Sequence, residues 1–129
     1  MAYCVAWWVE DQIVLLSLTR ETSLEDFGAF AREITSRFLD SERSSVHLIV
    51  DMTGMEKFPH QLVKIRAVVR DLFLHPSLGK IVVVGQRVNP LARCIIDTLA
   101  RTFRVECLRA ATMEDAQALV GSDLVHQRP

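Results

Sequence analysis

Two short stretches constrain this chain more than anything else in it. Val46-His47-Leu48-Ile49-Val50 and Lys80-Ile81-Val82-Val83-Val84-Gly85 are apolar at almost every position rather than at every second one. A strand with one wet face alternates, whereas a strand covered on both faces does not. Both runs therefore read as central strands of a sheet with helices packed above and below. That requirement points to an α/β architecture and fixes where the remaining segments must go.

The segments around these strands fit. Tyr3 to Val9 and Ile13 to Leu18 are aromatic and β-branched runs separated by Glu10-Asp11-Gln12, which predicts an antiparallel hairpin without an Asn-Gly turn. A first helix follows. Thr22 with Glu25, or Ser23 with Asp26, is spaced as a capping box, and Leu24, Phe27, Ala31, Ile34 and Phe38 form one apolar stripe. A second helix is expected over Gln61 to Leu74. A third starts at Pro90 behind an Asn89 N-cap and runs to Phe103, with Leu91, Ile95, Thr98, Leu99 and Thr102 on one side. Val105 to Leu108 reads as the last strand. Thr112 caps a final helix from Met113 to Val120, with Gly121 as its stop.

The expected fold is thus an α/β sandwich: an N-terminal β-hairpin, then alternating helices and strands, with a mixed, largely parallel sheet flanked by helices. With 129 residues the chain suits one domain, expected over 1–121, followed by a flexible tail at 122–129. Fifteen basic side chains oppose sixteen acidic ones, which argues against charge-driven binding to nucleic acid. No apolar run approaches the ~20 residues of a membrane span. The apolar start lacks a basic lead-in, and Cys4, Cys94 and Cys107 show no framework spacing, so a reducing, cytoplasmic setting is expected.

In open α/β sheets, ligands gather beyond the carboxyl ends of the strands. Those ends are Asp51-Met52-Thr53-Gly54, Gly85-Gln86-Arg87-Val88-Asn89 and Arg109-Ala110-Ala111-Thr112. Asp51, Thr53, Gly54, Gly85 and Asn89 are the candidate ligand-binding residues, the last two because a helix N-terminus offers free N–H groups. The plainer alternative is that Asp51 and Thr53 make local turn bonds and that Asn89 only caps. Neither GxxxxGK[ST], GxGxxG nor GxSxG occurs, and the four histidines show no ligand spacing, so no cofactor, metal or catalytic residue is expected. Cys94 and Cys107 read as buried, inert thiols, and His47 as a packed or edge residue. Trp7 and Trp8 should point to opposite faces, one into the core and one to the surface. Lys57, Lys64, Arg66 and Arg70 give the second helix a modestly basic face, read as solvated because Glu56 and Asp71 dilute it.

The opening hairpin, the strand ending in Asp51-Met52-Thr53-Gly54-Met55 and the helix start Thr112-Met113-Glu114-Asp115-Ala116 together resemble the STAS fold of anti-sigma-factor antagonists. The likeness is closest to the SpoIIAA-like (STAS/SEC14-type) branch and covers Tyr3 to Val120 as order and pattern. It implies a non-catalytic module in bacterial regulation that binds a protein partner or a small ligand. In the antagonists a serine at the start of the second helix is phosphorylated. The corresponding segment here, Phe58-Pro59-His60-Gln61-Leu62, has no hydroxyl, so that switch does not carry over.

Three readings follow. An interaction module, forming a homodimer, would use Phe30, Leu39, Val68 and Phe73, which lie off the main helical stripes. A small-ligand binder, for a lipid or a nucleotide, would use the strand-end loops. A phosphate receiver would use Asp51, but it wants an acidic pair after the first strand and a lysine ending the last. Glu10 and Asp11 sit in the hairpin turn, and Arg109 stands where the lysine is wanted.

Overall fold

The computed structural model describes residues 3–19, 21–40, 45–55, 59, 61–85 and 90–127, the last seven as backbone. Among the described residues, five strands form one sheet in the order β1-β2-β3-β4-β5: Tyr3–Val9, Ile13–Leu18, Val46–Asp51, Leu78–Val84 and Cys107–Ala110. Only β1 and β2 run antiparallel, and the later pairs are parallel. The expected α/β sandwich is the observed one.

Strand order rises steadily along the sheet, so right-handed crossovers place every connecting helix on the same face. Helices α1 (Leu24–Glu33), α2 (Leu62–Phe73) and α3 (Pro90–Phe103) bury Phe27, Ile34, Ile65, Val69, Ile95 and Leu99 against that face. Helix α4 (Met113–Gln127) covers the other, setting Ala116 and Val120 on Ile49, Val82 and Val84. It crosses β3, β4 and β5. The central strands are dry on both sides because each face has its own helical cover.

Local chemistry explains the boundaries. Of the two capping boxes the sequence offered, Ser23 with Asp26 forms: the Asp26 N–H donates to Ser23 Oγ at 3.1 Å, and the Ser23 N–H to Asp26 Oδ2 at 2.9 Å. The hairpin turn works without glycine because Asp11 takes a left-handed φ of 65°. Opposite Ile13 and Val14, β1 carries an extra residue between Trp7 and Val9. This bulge leaves Trp7 edge-on to Phe38 at 5.0 Å, while Trp8 is 39% exposed, matching the opposed tryptophans expected.

Several expectations need correction. The first helix does not stay α-helical: Ile34–Leu39 is a π-helical continuation. The Thr35 and Ser36 hydroxyls donate to carbonyls four residues back, both at 2.8 Å, a bond type that bends helices. The wider turn brings Leu39 inward beside Phe38 (1% and 3% exposed). Leu91 is exposed, and α3 instead buries Ala92, Ile95, Leu99 and Ala100. Strand β5 begins two residues late, because the Val105 N–H is taken by the Ala100 carbonyl at the end of α3. Arg104, at φ 56°, makes that reversal. Gly121 does not stop α4, which continues to Gln127.

Two of the four proposed interface residues, Phe30 and Leu39, are core side chains. Phe30 is 5% exposed and packs on Tyr3 and Phe27, and Leu39 is in the core. Val68 lies between α1 and α2, 3.8 Å from where a Cβ on Gly28 would sit, and Phe73 meets Phe103 at 5.6 Å. Val68 and Phe73 are half-buried against the rim of the core.

Candidate functional site

The amino ends of the parallel strands are closed. Opposite His47, β4 inserts an extra residue, since Val46 pairs with Leu78 but Leu48 pairs with Ile81. A bulge of this kind releases a backbone donor from the ladder. Here the Lys80 N–H donates to His47 Nδ1 at 2.9 Å, so the ring proton sits on Nε2. A Cβ on Gly79 would stand 2.6 Å from that Nδ1, which is why glycine occupies the bulge. His47 is 1% exposed. It is a packed histidine, as expected, with a structural duty.

The carboxyl ends carry a pocket among the described residues. Beyond β4 and β5 a pocket of about 340 Å³ is lined by Val83, Gly85, Ile96, Ala110 and Ala111, with Arg93 and Arg109 supplying its charge. The Gly85 N–H donates to the Ala110 carbonyl at 3.0 Å, which ties the two strand ends together. Arg109 projects from β5 toward α3, where Asp97 pairs with its guanidinium. That pairing uses part of a five-donor fork and orients the rest. Arg93 stands in the first turn of α3, where the helix dipole also favours a negative guest. Among the described residues, no carboxylate pairs with Arg93.

Cys107 shares its side of β5 with Arg109. Burial, aided by the nearby Asp97 carboxylate, pushes its thiol up to about 11. It is therefore a neutral thiol at physiological pH and no nucleophile. Cys94 was expected to be buried but is exposed on α3.

The structure separates the residues picked from the sequence. Gly85 lines the pocket. Asp51 and Thr53 form a turn beside it: the Thr53 N–H and hydroxyl both donate to Asp51 Oδ1, at 3.0 and 2.7 Å. Gly54 follows, and a Cβ there would make only an ordinary 3.5 Å contact with the Leu18 carbonyl oxygen. These are the local bonds of the plainer reading. Asn89 lies outside the described residues, as does Lys57. Sequence reasoning missed Arg93, because the strand-end rule points at loops and not at a side chain one turn inside the following helix.

A second cavity lies between the sheet and the helices, among Leu16, Phe27, Leu48, Val69 and Leu99, but it holds only about 60 Å³. That is the space of roughly two waters at ~30 Å³ each, far too small for an acyl chain. Among the described residues no His, Cys, Asp and Glu side chains cluster as a metal site, and no helix is long and apolar enough to cross a membrane.

No protein-family model and no curated protein matches the chain.

Proposed function

We propose that this chain is a non-catalytic binding module, STAS-like in architecture but without that family's phosphorylatable serine, which takes a small organic anion at the carboxyl ends of β4 and β5. One observation carries the reading: Arg93 and Arg109 line the same strand-end pocket of about 340 Å³. That volume falls in the ~300–1,000 Å³ range of small-ligand sites, whereas the core cavity is too small for a lipid. The described lining favours binding over chemistry, since guanidinium groups bind carboxylate and phosphate but neither give nor take a proton near neutral pH. Ile96 and Val83 supply an apolar wall for the organic part of the ligand. A nucleotide therefore suits the site better than a lipid does, and occupancy is the signal that a regulatory partner would read.

Calorimetric titration with inorganic phosphate and with a nucleoside monophosphate at low salt tests this. Arg93→Ala should weaken binding by about tenfold, or ~1.4 kcal/mol, with an unchanged melting temperature. Binding should also weaken as salt rises. If neither anion binds, or if Arg93→Ala binds as the parent does, the reading is wrong.

A further inference from the structure

The formal net charge of −1 hides a segregation of charge across the sheet. On one face, α4 presents Glu114 and Asp115 in its first turn and has no basic side chain over residues 113–120. On the other face, α2 touches both α1 and α3 and so lies in the middle of the helical layer. It carries Lys64, Arg66 and Arg70, all exposed. Asp71, its one acidic residue, lines the groove toward α1 together with Arg32. The crest of the same helix is apolar. Val63 is 69% exposed and Leu74, just past the helix end, 53%. They stand eleven residues apart, about three turns, so both fall on one line of the helix, with Ala67 between them. Leu91, 44% exposed, adds an aliphatic side chain in the first turn of α3, at the end of the layer where Val63 begins α2.

We propose that this face of the helical layer docks on the surface of an anionic lipid bilayer, with α2 lying parallel to the membrane plane. Two observations select that occupant. The exposed aliphatics stand on a ridge, which a yielding surface can take up, whereas a partner helix needs a groove with an apolar floor. The groove beside this ridge, between α1 and α2, has a polar mouth of Arg32, Thr35, Ser36 and Asp71. Charge complementarity is the second observation. Lys64, Arg66 and Arg70 flank the aliphatics, and such long side chains lay their stems along an apolar boundary while their charged heads stay among the phosphates. The acidic first turn of α4 sits across the sheet, so a negative surface orients the molecule although its net charge is close to zero. Each basic side chain near such a surface is worth about fivefold in affinity. The inference does not rest on the ligand reading, because Arg93 and Arg109 take no part in it.

Co-sedimentation of the full chain with sucrose-loaded vesicles tests the docking, comparing phosphatidylcholine alone with phosphatidylcholine containing about 30% phosphatidylserine. The parent should bind the anionic vesicles, leave the neutral ones, and bind less as salt rises. Arg66→Ala combined with Arg70→Ala should weaken binding by about 25-fold. Val63→Ser combined with Leu74→Ser should weaken it by about fivefold. All four side chains are exposed, so circular dichroism and melting temperature should be retained in both variants. Arg93→Ala distinguishes this contact from a lipid headgroup entering the strand-end pocket, and should cost no more than one charge, about fivefold. A parent that ignores anionic vesicles at about 1 mM lipid overturns the proposal and leaves the ridge to an acidic protein. Equal binding to neutral vesicles, or either double variant binding as the parent does, also overturns it. So does a loss on Arg93→Ala as large as that on the Arg66 and Arg70 pair.

Discussion

At the amino end of the parallel strands an imidazole fills the gap left by a bulge; at the carboxyl end two guanidinium groups line an open pocket. Both ends face the same problem, which is what to do with polar backbone where a sheet stops. His47 solves it by taking the Lys80 N–H inside the protein, with Gly79 giving up its side chain to make room. At the other end, among the described residues, no carboxylate pairs with Arg93, and Asp97 takes only part of the Arg109 fork. The difference teaches that a buried polar residue here is scaffold, and that the half-exposed charges beside Gly85 are where binding is free to occur.

Substitutions should respect that division. The largest effect is expected from Gly79→Ala. A Cβ 2.6 Å from His47 Nδ1 must displace a ring that is buried on all sides. The Lys80 N–H would lose its acceptor, and we expect a loss of about 2–3 kcal/mol with anion affinity unchanged. Chemical denaturation alongside titration reads both; altered affinity with intact stability would erase the distinction between the ends.

A smaller effect sharpens the contrast through Cys107, two residues before Arg109 on β5. Its folded thiol is raised to about 11 from an ordinary 9.0, so its stability contribution is complete below pH 9. Between pH 9 and 11 the unfolded thiol ionises while the folded one does not, and stability should fall as pH rises, by about 1–2 kcal/mol after allowance for partial exposure. Cys107→Val should flatten that slope. In the native protein at pH 8, iodoacetamide should modify the exposed Cys4 and Cys94 and spare Cys107. Modification of Cys107 at the rate of the other two would show that the β5 edge of the sheet opens.

The smallest effect lies away from both ends. Gly28 is inside α1, where a Cβ would meet only the end of the Arg32 side chain at 3.3 Å and Val68 at 3.8 Å. Gly28→Ala should therefore stabilise the protein by about 0.5–1 kcal/mol through helix propensity. A loss of stability would mean that α1 and α2 approach more closely than these distances allow.

The elements legible in the sequence were those defined by local pattern. The unbroken apolar run of β3, the Pro90 to Phe103 span of α3 and the Ser23 cap all declare themselves within a few residues. What was not legible depends on partners far along the chain. The role of His47 follows from a bulge 33 residues away. Leu39 is buried where the first helix continues as a π-helix, and the phase of α3 is set by the sheet beneath it, which favours Ala92 over Leu91. The candidate site was legible by half: Gly85 follows from the strand-end rule, but Arg93 joins it only once α3 is docked.

The most direct measurement is an amide-resolved NMR titration with a nucleoside monophosphate. The binding reading predicts that Gly85, Ala110 and Ala111 shift in a saturable way while His47, Gly79 and Lys80 stay fixed, and that Arg93→Ala moves the midpoint of those shifts to about tenfold higher ligand concentration. Saturable shifts centred on the amino end, or on the Asp51–Thr53 turn with Gly85 silent, would contradict it.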